Sequence, residues 1–154
     1  MPGSGDLKSQ LTSLGLSGLE IKVGQIYVLP DGDIKFPANE LNRAKGTGVH
    51  VDRTAAVIQD GPALRDPLCK MVYIAPTSSQ THLKTANDIE LAAGEGGLHK
   101  DSICMLDHVQ PVLKSHLKTC CGRLENPRVE EILTLHAAIM RGEDDSAEAP
   151  TEGQ

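Results

Sequence analysis

Aromatic side chains are almost missing from this 154-residue chain, which has no Trp, one Phe and two Tyr. Its core must therefore be built from Leu, Ile, Val, Ala and Met. Proteins that bind single-stranded nucleic acid by stacking successive bases present several aromatic rings on one surface. The composition therefore argues against a base-stacking platform of this kind.

The chain also lacks an apolar run long enough to cross a bilayer, and it does not open with a basic and apolar secretory signal. We therefore expect a soluble cytoplasmic protein without a membrane partner. Cysteines are few, and two of the four are adjacent, which is a poor arrangement for a disulfide framework. Reduced thiols are predicted at Cys69, Cys104, Cys120 and Cys121.

A metal site is the alternative interpretation for two of these cysteines. His116 lies close in sequence to Cys120 and Cys121, and imidazole and thiolate are ordinary zinc ligands. No C-x-x-C pair or second ligand cluster accompanies them, so small buried residues are the simpler interpretation. No cofactor is predicted.

An excess of basic residues is missing too, since the net charge is −6. Nucleic-acid-binding proteins usually carry a basic face. However, five of the 21 acidic residues and none of the 15 basic ones lie in residues 143–154, which leaves 16 acidic against 15 basic residues elsewhere. The body of the protein is therefore nearly neutral and has room for a local basic groove.

The length allows one domain. Residues 1–20 are predicted to be an N-terminal extension with one short amphipathic helix, because Leu7, Leu11 and Leu14 share a helical spacing. Its apolar stripe is expected to dock on the body or on a second subunit. Residues 21–142 form the predicted domain, and residues 143–154 form an acidic tail too polar to fold alone.

Short apolar stretches between turn residues predict a small, curved antiparallel sheet or barrel. A long loop is expected over residues 37–52, and a C-terminal helix is expected between an N-cap at Asn126 and a stop at Gly142. The predicted strands are residues 24–29, a short return strand 34–36, 55–58, 71–75 closed by Pro76, 88–91 and 103–106.

The sequence pattern indicates that the domain is organised around residues 96–112. A glycine pair opens it, and the uninterrupted apolar run Ile103-Cys104-Met105-Leu106 is followed by Asp107 and His108. Such a run fits a strand buried on both faces that surfaces at its far end, although a buried helical segment has the same pattern. Polar groups at the end of a rigid strand are well placed for chemistry.

Four motifs follow one another in order, and together they resemble the MazF/PemK (Kid) family of toxin–antitoxin endoribonucleases. The likeness covers about residues 22–141. The motifs are Gly24-Gln25-Ile26-Tyr27-Val28, Arg53-Thr54-Ala55-Ala56-Val57-Ile58, Ala75-Pro76-Thr77-Ser78-Ser79-Gln80, and Gly97-Leu98-His99-Lys100-Asp101-Ser102 leading to Asp107-His108-Val109-Gln110.

The resemblance implies an α+β fold, an SH3-like small curved β-barrel of the CcdB/MazF type with a C-terminal helix. It also implies a homodimer that cleaves single-stranded RNA without a metal, and an antitoxin partner whose disordered segment occupies the RNA groove. Carried over by position, Arg53 matches the catalytic arginine, Ser78 stands at the family's threonine, Ser79 matches the next serine, and His108 stands at a glutamine.

The sequence departs from the family pattern at three places. Thr54 replaces the usual proline, and Ser78 replaces threonine. Gln110 and Pro111 stand where an arginine and a small polar residue are expected. Loss of that arginine removes one phosphate contact, so either specificity has changed or activity is reduced.

Metal-free RNA cleavage needs a base for the 2′ proton, an acid for the leaving 5′-oxygen and a fixed cation for the charge on the phosphate. Arg53 suits the last role because its guanidinium offers a bidentate fork. A salt bridge with Asp52 or Asp107 is its structural alternative. Ser78 suits a hydrogen bond to phosphate, and the alternative for Thr77-Ser78-Ser79 is a capped turn.

His108 is the candidate for proton transfer, because an imidazole titrates near neutral pH. A polar histidine at a strand end is the alternative, and a direct dyad with Asp107 conflicts with the opposite directions of adjacent strand residues. His50 and His99 are weaker candidates.

Ser79 and Gln110 are candidates for substrate binding. Arg43 and Lys45 are candidates for RNA attraction, although a solvated loop explains these two equally well.

Two other interpretations stay open at this level. A catalytically reduced barrel would act only by binding a protein partner, as the related CcdB toxins engage DNA gyrase. In the second interpretation the resemblance is accidental, and the chain is a small β-rich domain with a different strand order.

Overall fold

The computed structural model describes residues 20–36 and 52–142, which form one sheet and one α-helix. The predictions for residues 1–19, 37–51 and 143–154 lie outside the described residues. The elements are β1 (Gln25–Pro30), β2 (Asp52–Val57), β3 (Met71–Ser78), β4 (Asp88–Leu91), β5 (Ser102–Met105), β6 (Gln110–Leu113), β7 (Thr119–Arg123) and α1 (Asn126–Arg141), with short 3-10 turns between several of them.

The sheet is a curled antiparallel half-barrel with the strand order β4-β5-β3-β2-β1-β7. β3 is the longest strand, and two different strands share one of its edges. Its first half, Met71–Ile74, pairs with β6, whereas Thr77 and Ser78 pair with β5. The predicted curved antiparallel sheet with a C-terminal helix is confirmed.

Two of the predicted strands differ in the structure. Pro76 does not close β3, which continues to Ser78. Pro76 lies where β3 changes its partner from β6 to β5, and such an interruption of a ladder tolerates a residue without an N–H. The predicted return strand at residues 34–36 is absent, because the side-chain amide of Gln110 pairs with both the N–H and the carbonyl of Lys35 (2.8 and 3.0 Å) in place of a neighbouring strand.

Aliphatic side chains fill both faces of the sheet, as the low aromatic content requires. α1 covers one face through Val129 and Ile132, which pack with Ile26, Ala56 and Leu124. Burying a side chain of this size contributes about 1.5–3 kcal/mol. The other face is covered by connecting segments and is formed by Ile21, Tyr27, Leu29, Ile34, Ala55, Val57, Leu64, Val72, Ile74 and Val112.

β5 agrees with the expectation of a strand buried on both faces, since all four of its residues are buried. The chain then leaves strand geometry at once, and Leu106–His108 form a 3-10 turn. Asp107 reaches the surface, where it accepts a hydrogen bond from Asn87 (2.8 Å). His108 is buried, because the turn directs it back toward the protein rather than outward with the end of a strand.

The helix α1 ends as predicted, at Gly142 in a left-handed conformation (φ 76°). Its start differs by one residue, because Glu125 occupies the N-cap position and the side-chain oxygen of Asn126 accepts a hydrogen bond from Nη1 of Arg123 (3.1 Å). Met140, in the last turn of α1, is 71% exposed. In the ranges 20–36 and 52–142, no helix is long and apolar enough to span a membrane.

A buried lysine anchors the segment between β2 and β3. Nζ of Lys114 donates hydrogen bonds to the backbone carbonyls of Ala63 (2.6 Å) and Asp66 (3.2 Å), at the end of the 3-10 turn Pro62–Arg65. All four cysteines are free thiols. His116 pairs with Asp33 (3.0 Å), and no group of three metal-ligating side chains is found in the described part of the chain.

Candidate functional site

An open groove with a cavity volume of about 270 Å³ lies where β1, β2 and β3 face the segment before β5. Residues of all four sequence motifs meet in it, from β1, the start of β2, the end of β3 and the segment before β5. Most of its lining residues have polar or charged side chains, with more cations than carboxylates: Val28, Asp52, Arg53, Thr54, Thr77, Ser78, Ser79, Gln80, Leu98, His99, Lys100 and Ser102.

Arg53 is fixed in this groove by contacts on three sides. Its Nε donates to Oδ1 of Asp31 (3.0 Å), and its Nη1 donates to the backbone carbonyl of Thr77 (3.0 Å). Its guanidinium carbon lies 5.3 Å from the centre of the Phe36 ring, within the range of a cation–π contact. The side chain is only 5% exposed, so this arginine is a structured cation rather than a mobile surface charge.

One nitrogen of this guanidinium is not used by these contacts. Nη2 of Arg53 is buried and has no hydrogen-bond partner within the residues that the structure describes. Buried polar groups are almost always hydrogen-bonded. A buried donor without a partner therefore indicates that another group binds there. A phosphate oxygen would satisfy it, since guanidinium donors match that geometry.

Hydroxyl groups line the floor beside Arg53. The Thr54 and Thr77 hydroxyls hydrogen-bond each other across β2 and β3, so the threonine that replaces the family's proline has a partner. Oγ of Ser78 accepts a hydrogen bond from the backbone N–H of Gln80 (3.2 Å), as a capped turn would require. Ser79 follows on the exposed rim.

His99 and Lys100 form the opposite wall, and a glycine pair holds their segment against β7. Gly97 has φ +81°, and a Cβ at this position would overlap the carbonyl of Cys121. Gly96 has φ +60°, and its Cβ would lie 2.6 Å from Ile26. Only glycine allows this close approach in this conformation. Both His99 and Lys100 are exposed at the groove.

Two predicted site residues, His108 and Gln110, do not line the groove. His108 is buried edge-on against Phe36, with ring centres 5.1 Å apart. The amide of Gln110 is engaged by Lys35 and by the carbonyl of His108 (2.9 Å). Asp107, one alternative partner of Arg53, bonds Asn87 instead.

The other alternative partner of Arg53 was Asp52, which forms an exposed pair with Lys118 (3.0 Å). Arg43, Lys45 and His50 lie outside the described residues, so their predicted roles stay predictions.

The structure thus brings together Arg53, Ser78 and Ser79 from the predicted set, with His99 in place of His108. Asp31 and Phe36 were missed. Asp31 lies in a turn, where an aspartate is expected for conformational reasons alone. Its arginine partner is 22 residues away, so the contact produces no local sequence pattern. Phe36 has one usable signal, which is that it is the protein's only phenylalanine.

No protein-family model and no curated protein sequence matches this chain. Its fold does match solved structures. The Mycobacterium tuberculosis toxin MazF-mt6 superposes with a TM-score of 0.54 at 17% sequence identity, covering 78% of this chain and 98% of the toxin. The MazE–MazF structure from Deinococcus radiodurans gives 0.55 at 14% identity, covering 80% and 97%.

Likeness at this level of identity shows the fold alone. The half-barrel with a C-terminal helix is therefore a MazF/CcdB-like fold, which is the fold implied by the sequence resemblance. Fold by itself does not establish an activity, which must be argued from the site.

Proposed function

We propose that this protein is a toxin-like endoribonuclease that cuts single-stranded RNA at a short sequence motif without a metal. The observation that supports it most is Arg53, a fixed cation at the groove with one buried donor that has no partner among the described residues. The fold shared with MazF toxins makes this chemistry the natural one to test.

The proposed reaction is an internal transesterification. The 2′-oxygen of a ribose attacks the adjacent phosphorus and gives its proton to a base, while the bond from phosphorus to the 5′-oxygen breaks and that oxygen takes a proton from an acid. The products are a 2′,3′-cyclic phosphate and a 5′-hydroxyl, and no water is consumed. A cation fixed beside the phosphate stabilises the charge that builds on its oxygens.

The residues divide these tasks by position. Nη2 of Arg53 binds a phosphate oxygen, and Ser79 and Lys100 hold the RNA backbone at the rim. His99 is the proposed group for proton transfer, because it is the imidazole that lines the groove and imidazole suits this role near neutral pH. Ser78 fixes the turn that carries Ser79.

One experiment tests the proposal. The purified protein, freed of any bound protein, is incubated with a long single-stranded RNA in chelator, and the RNA ends are sequenced. Discrete cuts that leave a cyclic phosphate are expected, with a loss of about 100-fold or more in Arg53→Ala, as for other fixed transition-state donors. Arg65→Ala is the control, since Arg65 is exposed and outside the groove. Intact RNA at high protein concentration would refute the proposal.

A homodimer is also proposed, because the described surface carries an apolar patch. Met71 and Tyr73 of β3 lie opposite Leu113 and Pro111 of β6 in the sheet register, and all four are exposed. Tyr73 also lines a cavity of about 500 Å³ with Met140. Contiguous exposed apolar surface of this kind marks interfaces, and a second copy of the chain is the proposed occupant.

The dimer is tested by the molar mass in solution, measured by light scattering during gel filtration. Leu113→Lys is expected to give a monomer. Leu68→Lys, at a leucine that is 86% exposed but outside the patch, is expected to leave the dimer intact. A wild-type monomer at tens of micromolar protein would contradict the proposal.

An antitoxin is the proposed protein partner, with a disordered segment in the RNA groove. The Deinococcus neighbour is a MazE–MazF structure, which supports the search for such a partner here.

A second candidate function is a catalytically reduced protein that acts only by binding a protein partner, an antitoxin or a gyrase-like target. It is favoured by the burial and neutralisation of Arg53 by Asp31, and by Gln110 at the position of the family's arginine. The RNA assay separates the two candidates.

A further inference from the structure

We infer that Asp31 is a positioning residue of the proposed nuclease, which fixes the orientation of the Arg53 guanidinium at the groove by bonding its Nε. This inference rests on the proposed function. It assigns a role to a carboxylate outside the groove lining, in a turn where the sequence shows no functional pattern.

The sheet geometry brings Asp31 to Arg53. In the pairing of β1 with β2, Arg53 lies opposite Leu29. Asp31 comes directly after β1, two residues beyond Leu29. A 3-10 turn begins at Asp31 and places its carboxylate against Nε of Arg53, with both side chains at most 10% exposed.

Each contact of the guanidinium restricts its orientation in a different way. The carboxylate fixes the Nε edge, the Thr77 carbonyl fixes Nη1, and the Phe36 ring covers a face. The Thr77 carbonyl is neutral and the ring is weakly attractive, so Asp31 is the charged partner among them. An arginine buried to this degree needs such a partner, because an uncompensated buried charge is strongly unfavourable.

The same contact also has an opposing effect on phosphate binding, because a carboxylate competes with phosphate for the guanidinium. Because Asp31 occupies Nε and leaves Nη2 without a partner, the two anions are predicted to bind different nitrogens. Positioning then outweighs competition, and removing Asp31 lowers the rate rather than raising it.

The test compares Asp31→Asn, Asp31→Ala, Arg53→Ala and the double variant. For wild type and variants, kcat and KM for RNA cleavage and the thermal midpoint Tm are measured. Asp31→Ala is expected to lower kcat by about 10-fold to 100-fold with little change in KM, since small misplacements of a reacting group cost this much. Asp31→Asn keeps an acceptor in place and is expected to retain more activity than Asp31→Ala.

The double variant separates positioning from general stability. If Asp31 acts through Arg53, adding Asp31→Ala to Arg53→Ala causes no further fall in kcat, because residues that act as one unit are not additive. Asp33→Ala is the matched control: it removes a carboxylate from the same turn, but Asp33 pairs with His116 rather than with Arg53. It is expected to leave kcat unchanged.

Three results would overturn the inference in a wild-type protein that cleaves RNA. These are an unchanged kcat with a lowered Tm in both Asp31 variants, an increased kcat in Asp31→Ala, or a further fall in the double variant. A wild-type protein that leaves RNA intact is distinct from these, because it overturns the proposed function and the role of Asp31 together.

Discussion

Replacement of Gly97 by alanine tests how the groove wall is attached to the sheet. Gly97 has φ +81°, and the added methyl group would overlap the backbone carbonyl of Cys121 in β7. Neither atom is the flexible end of a side chain, so relief requires that the backbone of one segment moves. The segment that follows Gly97 carries His99 and Lys100 into the groove.

The magnitude has two parts. Left-handed backbone costs an alanine about 1–2 kcal/mol, and overpacking a tight contact costs about 1–3 kcal/mol more. Together they predict a loss of about 2–5 kcal/mol in the free energy of unfolding, from these two sources. For a domain of this size that corresponds to a fall in Tm of roughly 4–20 °C.

Gly94→Ala isolates the first part. Gly94 has φ +98°, but a Cβ there would meet nothing within 4 Å. Urea denaturation followed by circular dichroism, with Gly94→Ala beside Gly97→Ala, therefore measures the clash as the difference between the two. RNA cleavage by Gly97→Ala at a temperature where it remains folded is expected to fall, because the wall shifts relative to Arg53.

Equal stability of the two alanine variants would refute the reasoning. It would mean that the segment moves away from β7 at no cost, and that the close approach of Gly97 to Cys121 does not position the groove.

Three further predictions concern groups outside the groove. Lys114→Met leaves the backbone carbonyls of Ala63 and Asp66 without this charged donor and is expected to cost about 1–3 kcal/mol, measured by urea denaturation. A hydrogen bond from Arg128 lowers the pKa of Glu95 below its usual 4.5. The ionised carboxylate therefore stabilises the folded state above about pH 4.5, and this stabilisation is lost as the pH falls through the pKa of the folded protein. Arg128→Met is expected to make the decline of Tm in acid less steep. Burial raises the pKa of Cys104 to about 12, so native alkylation read by mass spectrometry is expected to modify the exposed Cys120 and spare Cys104.

The fold was predictable where short patterns decide it. The run Ile103–Met105 has no polar interruption, and β5 is buried on both faces as that run indicates. Gly142 at the end of an apolar helical pattern marked the stop of α1, because only the left-handed conformation of such a residue closes a helix so readily. Tertiary pairing overrode local signals at Pro76, where the exchange of β6 for β5 made a proline acceptable inside β3.

The site was predictable only in part, for a related reason. Arg53 and Ser78 lie in neighbouring strands, Ser79 follows directly, and the three meet in the groove. His108 was proposed from its position in the fourth motif and its imidazole, whereas a 3-10 turn buries it beside Phe36, away from the groove lining. The partner of Arg53 depends on the pairing of β1 with β2. The residues that flank Asp31 in the sequence do not indicate a contact of this kind.

The pairing of β1 with β7 has a consequence for biosynthesis. It joins Gln25 to Arg123, near the two ends of the described domain, and the glycine pair that supports His99 rests on β7 as well. Proteins are made from the N-terminus, so β7 is the last strand to leave the ribosome. A chain still under synthesis therefore has no supported groove wall until nearly the whole domain has emerged, and the groove is completed only on a finished domain.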